Sequence, residues 1–285
     1  MCKIISLINM KGGVGKSTLT VNLAWHLAGY EDYKKNVLVV DLDPQFNASQ
    51  YLVGTHEYHE MISNEPTVWD IFEQHTRIPT GKRGTVDPDK AIRNVEKFHE
   101  AGRDEVVSRI DILPSRLELS LSLKNPAQKA TLLAKFLNKI KENYDVILID
   151  CAPTESMLTT SAYLSSDYVL VPVKPEYLST IGLPLLVNSM KDFKDEYEEK
   201  DLKLLGIVYN ACTNYSPEED ESKNGVNKLA KKHGWYIFDS EIPYSKSYPK
   251  GAREGEPIFR TSYARTKVAT EFKKFADEFA KRIDL

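Results

Sequence analysis

A glycine-rich stretch between an apolar run and a helical pattern carries the strongest chemical signal in the sequence. Gly12, Gly13, Val14 and Gly15 precede Lys16, and Ser17 and Thr18 follow it. Glycine permits backbone conformations that other residues avoid, so successive N–H groups can turn towards one anion. The N-terminus of a following helix strengthens this attraction, and Lys16 supplies a full positive charge. The pattern predicts a phosphate-binding loop in which the Ser17 hydroxyl can ligate Mg²⁺.

Two apolar runs end in carboxylates. Residues 37–40 lead to Asp41 and Asp43, and residues 146–149 lead to Asp150. Ligands bind beyond the carboxyl ends of parallel strands, so we expect these side chains near the phosphate loop. One carboxylate there can hold Mg²⁺ while another orients an attacking water. The alternative for Asp43 is that it only caps a helix that follows Pro44.

The elements that must position these residues alternate along the chain. Strands are predicted at 3–9, 37–42, 110–113, 146–150, 168–173 and 203–209, and helices at 17–28, 128–142, 181–197, 226–233 and about 262–283. Several of the strands are apolar throughout, as expected for strands covered on both faces. The alternation predicts an α/β fold, with a mostly parallel twisted sheet and helices on both faces.

A single domain over residues 1–285 is expected from this pattern, with one interruption. Residues 54–109 are polar and charged, with turn signals at 79–81 and 87–89, and are interpreted as an insertion that contributes few core residues. Within them, His56-Glu57-Tyr58-His59 misses the H-E-x-x-H zinc spacing by one residue and is interpreted as a polar surface turn.

Composition excludes several classes of protein. The 285 residues carry a net charge of −3, which argues against binding to nucleic acid through bulk charge, although a local basic patch can still bind it. Three widely spaced cysteines disfavour a disulfide framework or a zinc ribbon and suit a reducing compartment. No apolar run approaches the roughly 18 residues of a transmembrane helix.

The loop from Lys11 to Ser17 departs from the ordinary Walker A pattern, because Met10 stands where that pattern has glycine and Lys11 precedes the glycines. This form resembles the deviant Walker A motif of the ParA/MinD family of ATPases. The segment from Asp41 to Ala48 resembles the DxDPQxNA motif of ParA proteins, although the family often has glycine at the position of Phe46. Residues 150–153 and 171–177 resemble two further motifs of the family.

The resemblance implies roles for individual residues. Lys11 would be the signature lysine that reaches the phosphates bound by a partner subunit, and Asp43 would activate the attacking water. The implied catalytic residues are Lys11, Lys16 and Asp43, the metal-side residues are Ser17, Asp41 and Asp150, and the nucleotide-binding residues are Lys11, Gly12, Gly13, Val14, Gly15, Lys16, Ser17, Thr18, Asn210 and Pro243. Asn210 would read the adenine edge. Pro243 belongs to a segment that resembles the family's base-binding loop, with Tyr244 in place of the usual arginine.

The implied function is that of a ParA-like ATPase that cleaves the β–γ phosphoanhydride of ATP. Such a protein needs Mg²⁺, dimerises around ATP, binds nonspecific DNA and drives plasmid or chromosome partitioning with a ParB-like centromere-binding partner. It is expected in the cytoplasm, associated with the nucleoid if it binds DNA. The alternative is a MinD-like or cargo-positioning ATPase that acts on a membrane or a protein assembly.

Two C-terminal features bear on that choice. A loose basic run, Lys246, Lys250, Arg253, Arg260, Arg265 and Lys267, has tyrosines interleaved and is either a solvated face or a DNA-contacting one. The last helical pattern has an apolar stripe, and acidic residues offset its basic ones. A membrane-surface helix needs a strongly basic polar face, so we expect this helix to pack on the sheet and no membrane partner.

Overall fold

The structure, a computed structural model, describes residues 1–29, 33–74, 85–100, 102–124, 129–177, 179–213, 215–262 and 266–285. The strands within these ranges are β1 (Lys3–Leu7), β2 (Asn36–Leu42), β3 (Arg93–His99), β4 (Val106–Leu113), β5 (Val146–Cys151), β6 (Tyr168–Val173), β7 (Lys203–Cys212) and β8 (Ile242–Pro243). The helices are α1 (Lys16–Gly29), α2 (Asn47–Val53), α3 (Thr55–Asn64), α4 (Val68–Glu73), α5 (Pro88–Ala91), α6 (Leu132–Ile140), α7 (Met157–Ser165), α8 (Ser179–Glu196), α9 (Pro217–His233), α10 (Ser247–Glu254) and α11 (Thr266–Arg282).

The strands form one sheet in the order β3-β4-β2-β5-β1-β6-β7-β8. Every neighbouring pair is parallel except β3 and β4, which are antiparallel. The predicted α/β fold with a mostly parallel sheet is therefore confirmed. The strands that precede the predicted site, β1, β2 and β5, lie next to one another, so their carboxyl ends meet at one edge of the sheet.

Helices cover both faces of the sheet because the strand side chains alternate between two cores. Ile4, Leu38 and Ile147 belong to one core, and their neighbours Ile5 and Val37 belong to the other. The second core also receives the C-terminal stripe, in which Val268, Phe272, Phe275, Phe279 and Ile283 are buried. The expected packing of this last helix on the sheet is confirmed. No helix in the described ranges is both long enough and apolar enough to span a bilayer.

Most predicted elements lie within a few residues of the observed ones, and α9 differs most. The apolar pattern predicts a helix from residue 226, but α9 begins at Pro217. Proline fits the first helical turn, and the acidic residues there, Glu218, Glu219 and Asp220, interact favourably with the helix N-terminus. Polar residues stabilise this part of the helix, so its sequence has no apolar stripe from which a helix could be predicted.

Residues 54–109 contribute more to the core than their composition predicts. Tyr58, Met61, Ile71 and Phe72 are buried, and residues 93–99 add the antiparallel edge strand β3. The expectation of few core residues is wrong, and so is the surface turn at 56–59, which lies in α3. The turn predicted at 87–89 starts α5, while the one at 79–81 lies outside the described residues. That the segment is an insertion stays a prediction.

Candidate functional site

The glycine-rich loop joins β1 to α1, as predicted. Two of its glycines have left-handed backbones, with φ of 73° at Gly13 and 91° at Gly15. A Cβ on Gly15 would lie 2.1 Å from Nδ2 of Asn210. That Nδ2 donates a hydrogen bond of 2.8 Å to the carbonyl oxygen of Val14. Position 15 therefore needs glycine for both its backbone and its close contact with β7.

Lys16 lies in the floor of the loop. Its ammonium donates hydrogen bonds to the carbonyl oxygens of Asn9 (3.1 Å) and Lys11 (3.2 Å), and the residue is 6% exposed. Burial lowers the pKa of Lys16, and the negative charges of Asp150 and Asp43 oppose that shift. The Lys16 side chain is thus held in place at the loop that is predicted to bind phosphate.

Lys11 pairs with a carboxylate of its own chain. Its ammonium donates a hydrogen bond to Glu176, which follows β6. This hydrogen bond holds the pKa of Glu176 below its ordinary value, and Lys174, 3.4 Å from the same carboxylate, adds to the effect. The backbone N–H of Lys11 donates to Oδ1 of Asn9 at 2.9 Å.

Asp41 is buried at the end of β2, and both of its oxygens accept hydrogen bonds from the protein. Oδ2 accepts from the backbone N–H (2.8 Å) and the hydroxyl (2.7 Å) of Ser49 in α2, and Oδ1 accepts from the N–H of Asp43 (3.1 Å). Burial raises the pKa of Asp41 to about 7 despite these hydrogen bonds. The observed contacts hold the loop after β2, and the predicted metal role of Asp41 stays a prediction.

Asp150 differs from Asp41, although the two are register partners on adjacent strands. It is fully buried, and within the described residues neither of its carboxylate oxygens has a hydrogen-bond partner. Burial and the Asp41 carboxylate raise the pKa of Asp150 well above its ordinary value. The Ser17 hydroxyl and the Lys16 ammonium oppose this shift, without Ser17 reaching hydrogen-bond geometry.

A buried carboxylate without a partner is costly unless a cation accompanies it. Mg²⁺ prefers oxygen ligands and is usually held by one or two protein groups together with the oxygens of a bound phosphate. Asp150 and Ser17 fit that requirement. Within the described ranges, no group of three or more His, Cys, Asp or Glu could hold a metal on its own.

A cavity of about 460 Å³ lies at the phosphate loop. The glycines of the loop, Lys16, Ser17, Thr18 and Asp43 line it, together with Gln45 from the loop after β2, Pro153 from the loop after β5, and Arg253 from α10. Asp43 is 6% exposed, and its Oδ1 accepts a hydrogen bond of 2.9 Å from the N–H of Gln45. The carboxylate predicted to orient water thus lines the same cavity as the phosphate loop.

The two residues predicted to contact the base lie on neighbouring strands, and Asn210 contacts the phosphate loop. Asn210 and Pro243 belong to the paired strands β7 and β8. The amide of Asn210 already donates to Val14, but an amide has a second N–H and a carbonyl oxygen. Base recognition by this pair stays a prediction.

Among the described residues of the C-terminal basic run, Lys246, Arg253, Arg260 and Lys267 are exposed and Lys250 is half-buried. Arg260 lies over the rings of Trp25 (5.0 Å) and Phe98 (5.7 Å), and Lys250 pairs with Glu254 at 3.6 Å. Tyr248 is buried, and Arg265 lies outside the described residues. The exposed Arg253 faces the cavity described above.

Three residues of the site were given no role by sequence reasoning. Asn9 accepts from both loop lysines and donates from Nδ2 to the Pro172 carbonyl (2.7 Å), which ties β1 to β6. Ser49 anchors Asp41, and Glu176 binds Lys11. The sequence signal available for Asn9 was that it is a polar residue at the end of the apolar run of β1, two positions after Leu7.

Together, the sheet, the glycine loop between β1 and α1, and the carboxylates at the ends of β2 and β5 define a P-loop NTPase fold. Comparison with known proteins agrees. Residues 2–204 match the AAA domain family AAA_31. The sporulation initiation inhibitor protein Soj of Bacillus subtilis is 30% identical, over 90% of this chain and 90% of its own length. The chromosome partitioning protein ParA of Myxococcus xanthus is also 30% identical, over 90% of this chain and 80% of its own.

A solved structure of apo McdA from Cyanothece has the same fold. Its TM-score is 0.78 at 18% identity, over 98% of this chain and 99% of McdA, and McdA has also been solved in complex with ATP. The chain belongs to the AAA_31 family, and with Soj and ParA to the ParA/MinD family that its motifs predict.

Proposed function

We propose that this protein is an ATPase of the ParA type, which binds Mg·ATP at the glycine loop and hydrolyses its β–γ phosphoanhydride bond. The observation that carries the proposal is Asp150, a buried carboxylate that has no hydrogen-bond partner among the described residues and lies near Ser17 and Lys16. Nucleotide phosphates and Mg²⁺ together would satisfy this carboxylate and the N–H groups of the loop. The similarity to McdA, which was solved with ATP, supports the same ligand.

Residues that line the cavity and the buried Asp150 have different proposed roles in phosphoryl transfer. Lys16 would neutralise charge on the β- and γ-phosphates, and Ser17 and Asp150 would hold Mg²⁺, which would offset negative charge on the phosphate oxygens. Asp43 orients the attacking water from the wall of the cavity. Phosphoryl transfer depends mainly on positioning and electrostatics, so these contacts suffice for slow hydrolysis.

Lys11 completes the site only when two chains meet. In the single chain it is held by Glu176 rather than directed at the phosphates of its own loop. A second lysine near the γ-phosphate stabilises negative charge there, which a partner subunit can supply across a dimer interface. ATP then acts as the ligand that joins two subunits, and hydrolysis separates them.

The proposed cargo is nonspecific DNA, bound by the dimer and shared with a ParB-like partner in plasmid or chromosome partitioning. The chain's net charge of −3 requires that any DNA contact come from a local basic surface. The similarity to ParA and Soj supports partitioning, and the C-terminal basic run supplies the cations.

The test compares wild type with Asp43→Ala in single-turnover hydrolysis and in ATP-dependent retention on DNA at fixed salt. We expect hydrolysis slower by about 100-fold or more, intact ATP binding, and longer retention on DNA. Normal hydrolysis would remove Asp43 from the mechanism and leave it with only its contact to the N–H of Gln45 in the loop after β2. Slow hydrolysis without DNA retention would keep the ATPase and assign its cargo to a membrane or a protein assembly, which liposome and cargo pull-downs with ATP would separate.

A further inference from the structure

The backbone of the loop after β2 contains an unusual residue. Phe46 has φ of 47° and ψ of 33°, the left-handed conformation, at the N-terminal cap of α2. Side chains other than glycine disfavour this region because Cβ crowds the carbonyl oxygen. A bulky residue stays there only when its surroundings hold it, and such strained residues cluster at functional sites.

The ring of Phe46 is held by Tyr58 of α3. The two rings stack with centroids 4.9 Å apart and planes 14° from parallel. Tyr58 is 1% exposed, and its hydroxyl donates a hydrogen bond of 2.9 Å to the carbonyl oxygen of Ser115. Offset-stacked aromatic pairs stabilise beyond the area that they bury. The strained turn is therefore fixed to a rigid, buried support.

Both ends of this contact connect to Asp43. The N–H of Phe46 donates to the carbonyl oxygen of Asp43 at 2.9 Å. From the other side, the N–H of Ser115 donates to the Ser49 hydroxyl (3.0 Å), which donates to Asp41 (2.7 Å). Asp41 in turn accepts from the N–H of Asp43. The stack closes a ring of contacts around the loop that carries Asp43.

We infer that Phe46 and Tyr58 are positioning residues for hydrolysis, which hold the carboxylate of Asp43 at the cavity wall. The inference rests on the proposed function of Asp43. It adds a task for α3, which belongs to the segment 54–109, because that segment supplies Tyr58. Neither aromatic residue is among those lining the cavity, so the pair acts on the rate of the chemical step and not on nucleotide binding.

The experiment measures single-turnover hydrolysis and the Kd of Mg·ATP for Phe46→Gly, Phe46→Leu and Phe46→Tyr. Glycine accepts the backbone conformation but has no ring, whereas leucine keeps an apolar side chain without stacking. We expect both to slow hydrolysis by about tenfold with Kd unchanged. Phe46→Tyr keeps the ring and should restore the wild-type rate. Tyr215→Leu, which removes a tyrosine that is 94% exposed, is the control and should match wild type.

A double-mutant cycle guards against a purely structural effect. Tyr58→Leu, checked by thermal unfolding, should slow hydrolysis as Phe46→Leu does, and the double variant should be no slower than the slower single variant. A wild-type rate in Phe46→Gly would overturn the inference, as would a Kd weakened in proportion to the rate or full additivity in the cycle. Asp43→Ala, measured in parallel, separates the failures, because a normal rate in that variant would overturn the proposed role of Asp43 as well.

Discussion

Gly15 shows at the scale of one residue how tightly the site is built. Its φ of 91° and the 2.1 Å separation of a hypothetical Cβ from Asn210 leave no room for a side chain. We expect Gly15→Ala to lower the free energy of unfolding by about 1–3 kcal/mol, because it combines an unfavourable backbone with the loss of the Asn210–Val14 hydrogen bond.

Gly12 provides the matched control for that prediction. A Cβ at Gly12 meets nothing within 4 Å, and its backbone is not left-handed. Gly12→Ala should therefore change stability by less than about 0.5 kcal/mol. Urea unfolding of both variants without nucleotide makes the comparison, and equal stabilities would show that the loop adapts to a side chain at position 15.

Individual residues differed in how far the sequence predicts them. The phosphate loop is predictable because its glycines, its lysine and its hydroxyl are contiguous and each follows from the chemistry of anion binding. The Lys11–Glu176 pair joins residues 165 positions apart, and the Phe46–Tyr58 stack joins a loop to a segment that reads as polar surface. Such contacts come from tertiary packing, which local spacing does not encode.

At the scale of elements, α11 is attached to the sheet by more than its apolar stripe. Glu278 accepts hydrogen bonds from the Tyr236 hydroxyl (2.7 Å) and from the backbone N–H groups of Asp239 (2.8 Å) and Ser240 (3.0 Å). Burial alone would raise the pKa of Glu278, but these hydrogen bonds hold it below its ordinary value. The carboxylate thus ties the last helix to the segment that leads into β8.

Glu278→Gln should cost about 1–2 kcal/mol of unfolding free energy at pH 7, because the amide offers a donor where the carboxylate accepts. Because the pKa of Glu278 is lowered in the folded state, its charged form stabilises the fold at pH values above the ordinary pKa of glutamate. This stabilisation is lost as the pH falls through the pKa of the folded state. The difference from wild type should therefore shrink below about pH 4.3.

Glu271→Gln, on the same helix, is the control for this prediction. Glu271 pairs at 2.9 Å with Lys274, whose side chain is 60% exposed, so we expect a change of less than about 0.5 kcal/mol. Denaturant unfolding at pH 7 and near pH 3.5 provides the measurement. A deficit in Glu278→Gln that stays constant with pH would contradict the assignment to the charged form.

The elements themselves were predictable to different degrees. Buried strands such as β5 and β6 can be predicted from the sequence, because they are apolar runs between turns. The edge strand β3 has an irregular burial pattern and two shifts in its register with β4, so its sequence lacks the alternation that marks a strand. Its position follows from pairing with β4 and from the core residues beneath it.

At the scale of the whole molecule, the role proposed for Lys11 distinguishes dimerisation from nucleotide binding. Lys11→Ala should keep Mg·ATP affinity within about threefold and lose the ATP-dependent dimer. The reason is that binding of phosphates to the loop of the same chain should not require this lysine. Lys16→Ala should instead abolish tight binding, because it removes the charge beside the phosphates.

Calorimetry and sedimentation with and without ATP test both variants. An ATP-dependent dimer in Lys11→Ala would contradict the proposal that this lysine acts across the interface between subunits. Wild-type ATP affinity in Lys16→Ala would place the nucleotide elsewhere.

The order of strands in the sheet also determines when, during its synthesis, the protein can begin to bind nucleotide. β1 emerges first but pairs with β5 and β6, whose register partners begin at Val146 and Tyr168. The glycine loop therefore has no supporting strands on either side until more than half of the chain has left the ribosome. Pairings this distant close large loops and fold slowly, in the range of about milliseconds to seconds. A nascent chain that ends before β5 should bind no nucleotide, so ATP cannot act as a template for the first half of the fold.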